Sequence, residues 1–171
     1  WMIKDINTGG NSYTRHLTDV NGTLYFRAYD STNGLELWKS DGTISGTVMV
    51  KDINPSGASG PSPGHLGEHF TAIGSTLYFQ ANDGTNGTEL WKSDGISGGT
   101  VLVLSINTST NGSAPNHFTA VGDRLYFVAN NGAINGKEVW KSDGISTNTT
   151  MVRDIYPGTN GSSAYDLTAM G

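Results

Sequence analysis

The run E-L-W-K-S-D-G occupies residues 36–42, returns at 89–95, and returns again at 138–144 with Val139 in place of leucine. The copies stand 53 and 49 residues apart, and the rest of the chain repeats with them. After each comes a short apolar run: V-M-V-K-D-I at 48–53, V-L-V-L-S-I at 101–106 and T-M-V-R-D-I at 150–155. W-M-I-K-D-I at 1–6 is a fourth copy of that run. Before each comes an F-T-A-type segment: L-T-D-V-N-G at 17–22, F-T-A-I-G at 70–74 and F-T-A-V-G at 118–122, with L-T-A-M-G closing the chain at 167–171.

Each unit therefore has four pieces, A to D. Segment A leads through a glycine turn (Gly22, Gly74, Gly122) to segment B, whose core is L-Y-F. An Asp/Asn-Gly loop leads to segment C, the E-L-W-K-S run, and the Asp-Gly turn leads to segment D. Runs of four to six residues rich in β-branched and aromatic types, separated by turn residues, predict a small antiparallel meander. Apolar residues at helical spacing are absent, and 24 glycines in 171 residues suit many short strands better than helices. The units predicted are 16–53, 69–106 and 117–155, with 1–6 as the last strand of a preceding unit and 166–171 as the first strand of a following one. The D-to-A connection varies most in length, as a loop outside packed strands can.

Leu37 and Trp38 are adjacent in segment C, so they face opposite sides of the sheet, and Tyr25 opposes Leu24 and Phe26 in the same way. Both faces of each meander are apolar. A four-stranded sheet with two such faces is stabilised by stacking on copies of itself, which predicts an all-β chain of β-propeller blades. A β-trefoil or a linear β-stack are the alternatives.

Composition narrows function by exclusion. A net charge of −5 with ten scattered Lys and Arg is a poor match for a phosphate-tracking surface, so nucleic acid is not an expected partner. No run approaches the length of a membrane span. With no cysteine, disulfides, thiolate metal sites and Cys nucleophiles are excluded. Asn-x-Ser/Thr sequons at Asn21, Asn86, Asn107, Asn111, Asn148 and Asn160 are compatible with a surface-exposed chain.

The units resemble the ELWxxDGT repeat family of large secreted or surface-attached bacterial proteins. E-L-W-K-S-D-G-T at 36–43 meets that motif in full; Ile96 and Ile145 replace its final Thr, and Leu104-Ser105 replaces the Lys-Asp pair. The resemblance implies propeller-like arrays and an extracellular or cell-surface location, and carries no defined activity. The expected function is that of a non-enzymatic module for adhesion, scaffolding, or protein or glycan contact. A lectin-like propeller and a self-assembling surface polymer are the alternatives. Expected partners are further blades of the same protein or another copy, and a glycan or surface protein.

Four constellations could carry chemistry. In the B-to-C loop, Asp30, Asn33 and Glu36, and again Asp83, Asn86 and Glu89, space oxygen ligands through a glycine turn as calcium requires. The same spacing is also ordinary Asx-turn chemistry. Asp41, Asp94 and Asp143 in the S-D-G turns read as local caps or as an acidic ligand site. His16, His69 and His117 precede segment A, with Asp166 in the fourth copy; near a propeller axis they could form a zinc-binding ring or serve as packed structural histidines. Trp38, Trp91 and Trp140 read either as sugar-stacking platforms or as core between units. Ser, His and Asp recur in every unit, and no single unit shows a catalytic set of its own.

Overall fold

The structure, a computed structural model, describes residues 2–55, 69–132 and 135–170. His65, Glu68, most of the proline-containing connection at 54–69, and Ala133–Ile134 of the third B-to-C loop lie outside the described residues. Each unit forms one four-stranded antiparallel sheet in simple meander order. The first sheet is β1 (Arg15–Val20), β2 (Thr23–Asp30), β3 (Gly34–Ser40) and β4 (Val48–Lys51). The second is β5 (Thr71–Ile73), β6 (Thr76–Asn82), β7 (Thr88–Ser93) and β8 (Val101–Leu104). The third is β9 (Asn116–Val121), β10 (Arg124–Asn130), β11 (Lys137–Ser142) and β12 (Thr150–Arg153). Two 3-10 turns, Ser97–Gly99 and Ser146–Asn148, bridge the last two strands of the second and third sheets. Every ladder stays within its own sheet, so no common barrel of the trefoil kind exists among the described residues.

Residues 2–6 and 166–170 form no ladder. A strand needs a neighbour to satisfy its N–H and C=O groups, and among the described residues these segments have side-chain links such as Thr119 Oγ1 donating to Leu167 O at 2.8 Å but no backbone ladder. They nevertheless occupy repeat-like positions. Lys4 Nζ donates to Thr47 O at 2.7 Å, as Lys51 Nζ donates to Thr100 O at 2.8 Å, and Ile6 packs on Phe26 and Trp38.

Within each sheet the tryptophan pairs across strands with the phenylalanine: Trp38 with Phe26, Trp91 with Phe79, Trp140 with Phe127. A register shift falls at the Leu-Trp or Val-Trp step of all three sheets, where the strand pairs with its last neighbour. Such bulges sharpen the local twist. The two faces then separate as the alternation requires. Tyr25, Leu37, Val50 and Ile53 of the first sheet pack against Leu77, Phe79 and Trp91 of the second. Tyr78, Leu90 and Val103 of the second pack against Leu125, Phe127 and Trp140 of the third. The Leu/Tyr face of the first and second sheets thus rests on the Trp/Phe face of the sheet that follows. Burying that many large side chains, at about 1.5–3 kcal/mol each, is the main term holding the sheets together.

The first strands of the three sheets lie side by side. His16 sits 5.6 Å from Phe70 and His69 sits 5.5 Å from Phe118, ring centre to ring centre, so each histidine leans onto the aromatic of the next unit.

Candidate functional site

The loop carboxylates are committed to the backbone around them. Asp30 Oδ1 accepts N–H groups of Thr32 and Asn33 at 2.8 and 2.7 Å, and its carboxylate takes the Asn33 carboxamide as well. Asp83 does the same with Thr85 and Asn86. Burial pushes both carboxyls up, but these hydrogen bonds outweigh it and hold them below the ordinary aspartate value. The glutamates of the proposed calcium sets are not part of the loop. Glu36, Glu89 and Glu138 are 1 %, 0 % and 0 % exposed. Each turns inward and accepts the N–H of the isoleucine seventeen residues on: Ile53 at 3.0 Å, Ile106 at 3.2 Å and Ile155 at 3.3 Å. Glu89 also accepts from Asn107 N, Ser113 N and Ser113 Oγ, so one carboxylate ties the end of β8 to the following connection. Asx-turn chemistry therefore accounts for the loop, and sheet anchoring accounts for the glutamate. Among the described residues no three His, Asp or Glu converge as metal ligands.

The S-D-G aspartates cap their own turns. Asp41 accepts the N–H and hydroxyl of Thr43; Asp94 and Asp143 accept the N–H of Ile96 and Ile145. Hydrogen bonding by Thr43, and by the Asn148 carboxamide, lowers the pKa of Asp41 and Asp143. Beneath each turn lies a buried hydroxyl pair with no counterpart in the sequence reading. Ser40 and Thr47 are 2.7 Å apart, Ser93 and Thr100 2.8 Å, and Ser142 and Thr149 2.7 Å. Their invariant seven-residue spacing across the three units was the signal available.

All three tryptophans are buried between sheets or under residues 2–6, and a sugar could reach none of them without opening the stack. The histidines do not form a ring around one point. His69 and His117 are 5.8 Å apart and linked by His117 N–H donating to His69 Nε2 at 3.3 Å, while His16 packs on Phe70.

The second interface has a polar recess at one end. Between the second and third sheets a cavity of about 480 Å³ is lined by Gln80, Asn82, Thr88, Asn130, Lys137 and the 110–114 backbone. A smaller one, about 290 Å³, opens beside the last S-D-G turn between Arg124, Lys141 and Asp143. No protein-family model, no curated protein and no solved structure matches this chain.

Proposed function

We propose that the chain is a segment of a β-propeller of ELWxxDGT-type blades, acting as a non-enzymatic adhesion or scaffolding module on the outside of a bacterial cell. The observation that carries the reading is the repeated contact in which the Leu/Tyr face of one sheet covers the Trp/Phe face of the next, while the first strands gather side by side. Stacking of this kind is the way propeller blades share a core. The recurring polar motifs support the non-enzymatic part, because their carboxylates are consumed in turns and backbone anchors.

The partner most favoured is a further unit of the same kind. Val152 and Ile155 of the third sheet are 49 % and 58 % exposed, whereas their equivalents Val103 and Ile53 are 5 % and 6 % exposed under the next sheet. Sedimentation velocity over rising protein concentration tests this. Association that disappears in the Val152→Asp/Ile155→Asp variant is the expected result; a monomer at every concentration would count against the partner.

A further inference from the structure

We propose that the cavity between the second and third sheets is a binding site for a carboxylate-bearing sugar, a hexuronic acid unit. Its wall is set apart from the equivalent place at the front of the first sheet. There, Tyr13 and Tyr29 meet edge to face, ring centres 6.2 Å apart, with Tyr13 58 % exposed. Ala114 and Asn130 stand in the same two positions before the third sheet, as the shared backbone bonds demonstrate: Ser12 O accepts Tyr29 N–H at 2.7 Å, and Ser113 O accepts Asn130 N–H at 2.9 Å. No ring therefore projects from these two positions of the third unit. On the facing sheet Gln80 replaces Arg27, and Lys137 stands where the second unit has Thr88.

The amide side chains of this cavity are partly fixed by turn hydrogen bonds and keep donors to spare. Gln80 is 8 % exposed, lines the cavity, and makes no hydrogen bond among the described residues. Asn82 Oδ1 accepts Gly84 N–H, and Asn130 Oδ1 accepts Gly132 N–H, each at 2.8 Å. Those bonds fix which end of each carboxamide is oxygen, leaving two NH₂ groups as donors beside the cavity. Lys137 adds an ammonium with no acidic partner among the described residues. These side chains give the cavity several donors, one of them cationic. The matching ligand is rich in acceptors and singly anionic, with hydroxyls to receive the amides and to donate to Gln80 Oε1. A volume near 480 Å³ lies within the range of small-ligand sites. No aromatic ring lines it, so affinity rests on hydrogen bonds and one charge, with Kd on the order of 1 mM.

The inference rests on the surface-module reading only for where such a sugar would be met, and it needs no particular number of blades. The test is a titration of the whole chain with sodium glucuronate, following the side-chain NH₂ resonances of Gln80, Asn82 and Asn130 by ¹⁵N NMR. Saturable shifts at these three groups are expected, with glucose at least about tenfold weaker. Gln80→Val and Lys137→Thr place at each site the residue that another unit of this chain already carries there, Val128 and Thr88, so folding is retained. Lys137→Thr should bring glucuronate down to the glucose level, and Gln80→Val should weaken both sugars. A tetragalacturonate arm separates a unit taken free from one held within a chain, either of which supports the site. Absence of saturation at about 10 mM glucuronate, or equal binding of glucose and glucuronate, overturns the proposal. Loss of self-association in the sedimentation experiment would leave this site untouched.

Discussion

The hydroxyl of Tyr25, on β2 of the first sheet, lies over Gly95 in the S-D-G turn of the second, where a Cβ would collide with it. Tyr78 stands in the same relation to Gly144 of the third sheet, its hydroxyl 2.6 Å from the place a Cβ would take. Burial and the neighbouring aspartate, Asp94 or Asp143, raise the pKa of each tyrosine. Gly42 holds the same turn position in the first unit with nothing above it. All three glycines have positive φ, 87°, 90° and 85° for Gly42, Gly95 and Gly144, so alanine is strained at each by about 1 kcal/mol. Gly42→Ala should cost only that strain. Gly95→Ala must also displace a buried ring between sheets, adding about 1–3 kcal/mol. Urea unfolding of the two variants compares them; equal losses would mean the tyrosine contact does not hold the sheets.

Glu89 and Glu138 occupy the same position with unequal partners. Glu89 accepts four hydrogen bonds, whereas Glu138 Oε1 is buried with no partner among the described residues. Glu89→Gln replaces an acceptor with an NH₂ that faces donors, and should cost about 1–3 kcal/mol; Glu138→Gln can aim its NH₂ at the vacant side and should cost less. The pH dependence has a definite sign. Burial raises the Glu89 pKa above its ordinary 4.5 despite the opposing hydrogen bonds, so the folded state binds the proton more tightly than the unfolded chain. Its contribution is fullest below pH 4.5 and declines as pH rises through the folded value. Asp30, Asp41, Asp83 and Asp143, with lowered values, act oppositely and lose stability as pH falls below the ordinary 3.8. The melting-midpoint difference between wild type and Glu89→Gln should therefore narrow as pH rises from 4.5. A difference that widens over that interval contradicts the assignment.

The sheets were legible in the sequence because period-two alternation and turn residues act locally, and three copies repeat the same signal. The opposite facing of Leu37 and Trp38 followed from pleat geometry alone, while which face meets which appeared only in the packed clusters. Less of the site could be read. Glu36 and Glu89 looked like loop ligands because they follow Asn-Gly by two residues, yet their targets lie seventeen residues onward and depend on where β4 and β8 end. The cavity was invisible for a related reason. It arises where Ala114 and Asn130 replace Tyr13 and Tyr29, and only the fold brings those positions together.

Calcium should prove dispensable. In the first and second B-to-C loops the aspartate is saturated by N–H and carboxamide donors from its own turn, and the glutamate faces the sheet interior. Adding a chelator, or millimolar calcium, is expected to leave the melting midpoint unchanged, whereas Asp83→Ala, which strips three hydrogen bonds from its turn, should cost about 1 kcal/mol. A calcium-dependent rise of several degrees would restore the loops as cation sites.

Lys51 reaches from the first sheet to the second, its Nζ 2.8 Å from Thr100 O and 5.9 Å from the centre of the Trp91 ring. Lys4 makes the same reach to Thr47 O, but the second unit carries Leu104 at this position. Leucine is thus already accommodated between sheets at the equivalent site, and Lys51→Leu isolates the polar link without introducing a shape foreign to the fold. Losing a charge-assisted hydrogen bond and the ring contact, partly offset by added apolar burial, should lower stability by about 1–2 kcal/mol. The converse change, Leu104→Lys, supplies the missing donor opposite Thr149 and should bind the second and third sheets more tightly. Hydrogen exchange at β7 and β11 reads both effects: faster exchange at β7 for Lys51→Leu, and slower exchange at β11 for Leu104→Lys. If neither strand responds, the sheets are held by their apolar faces alone.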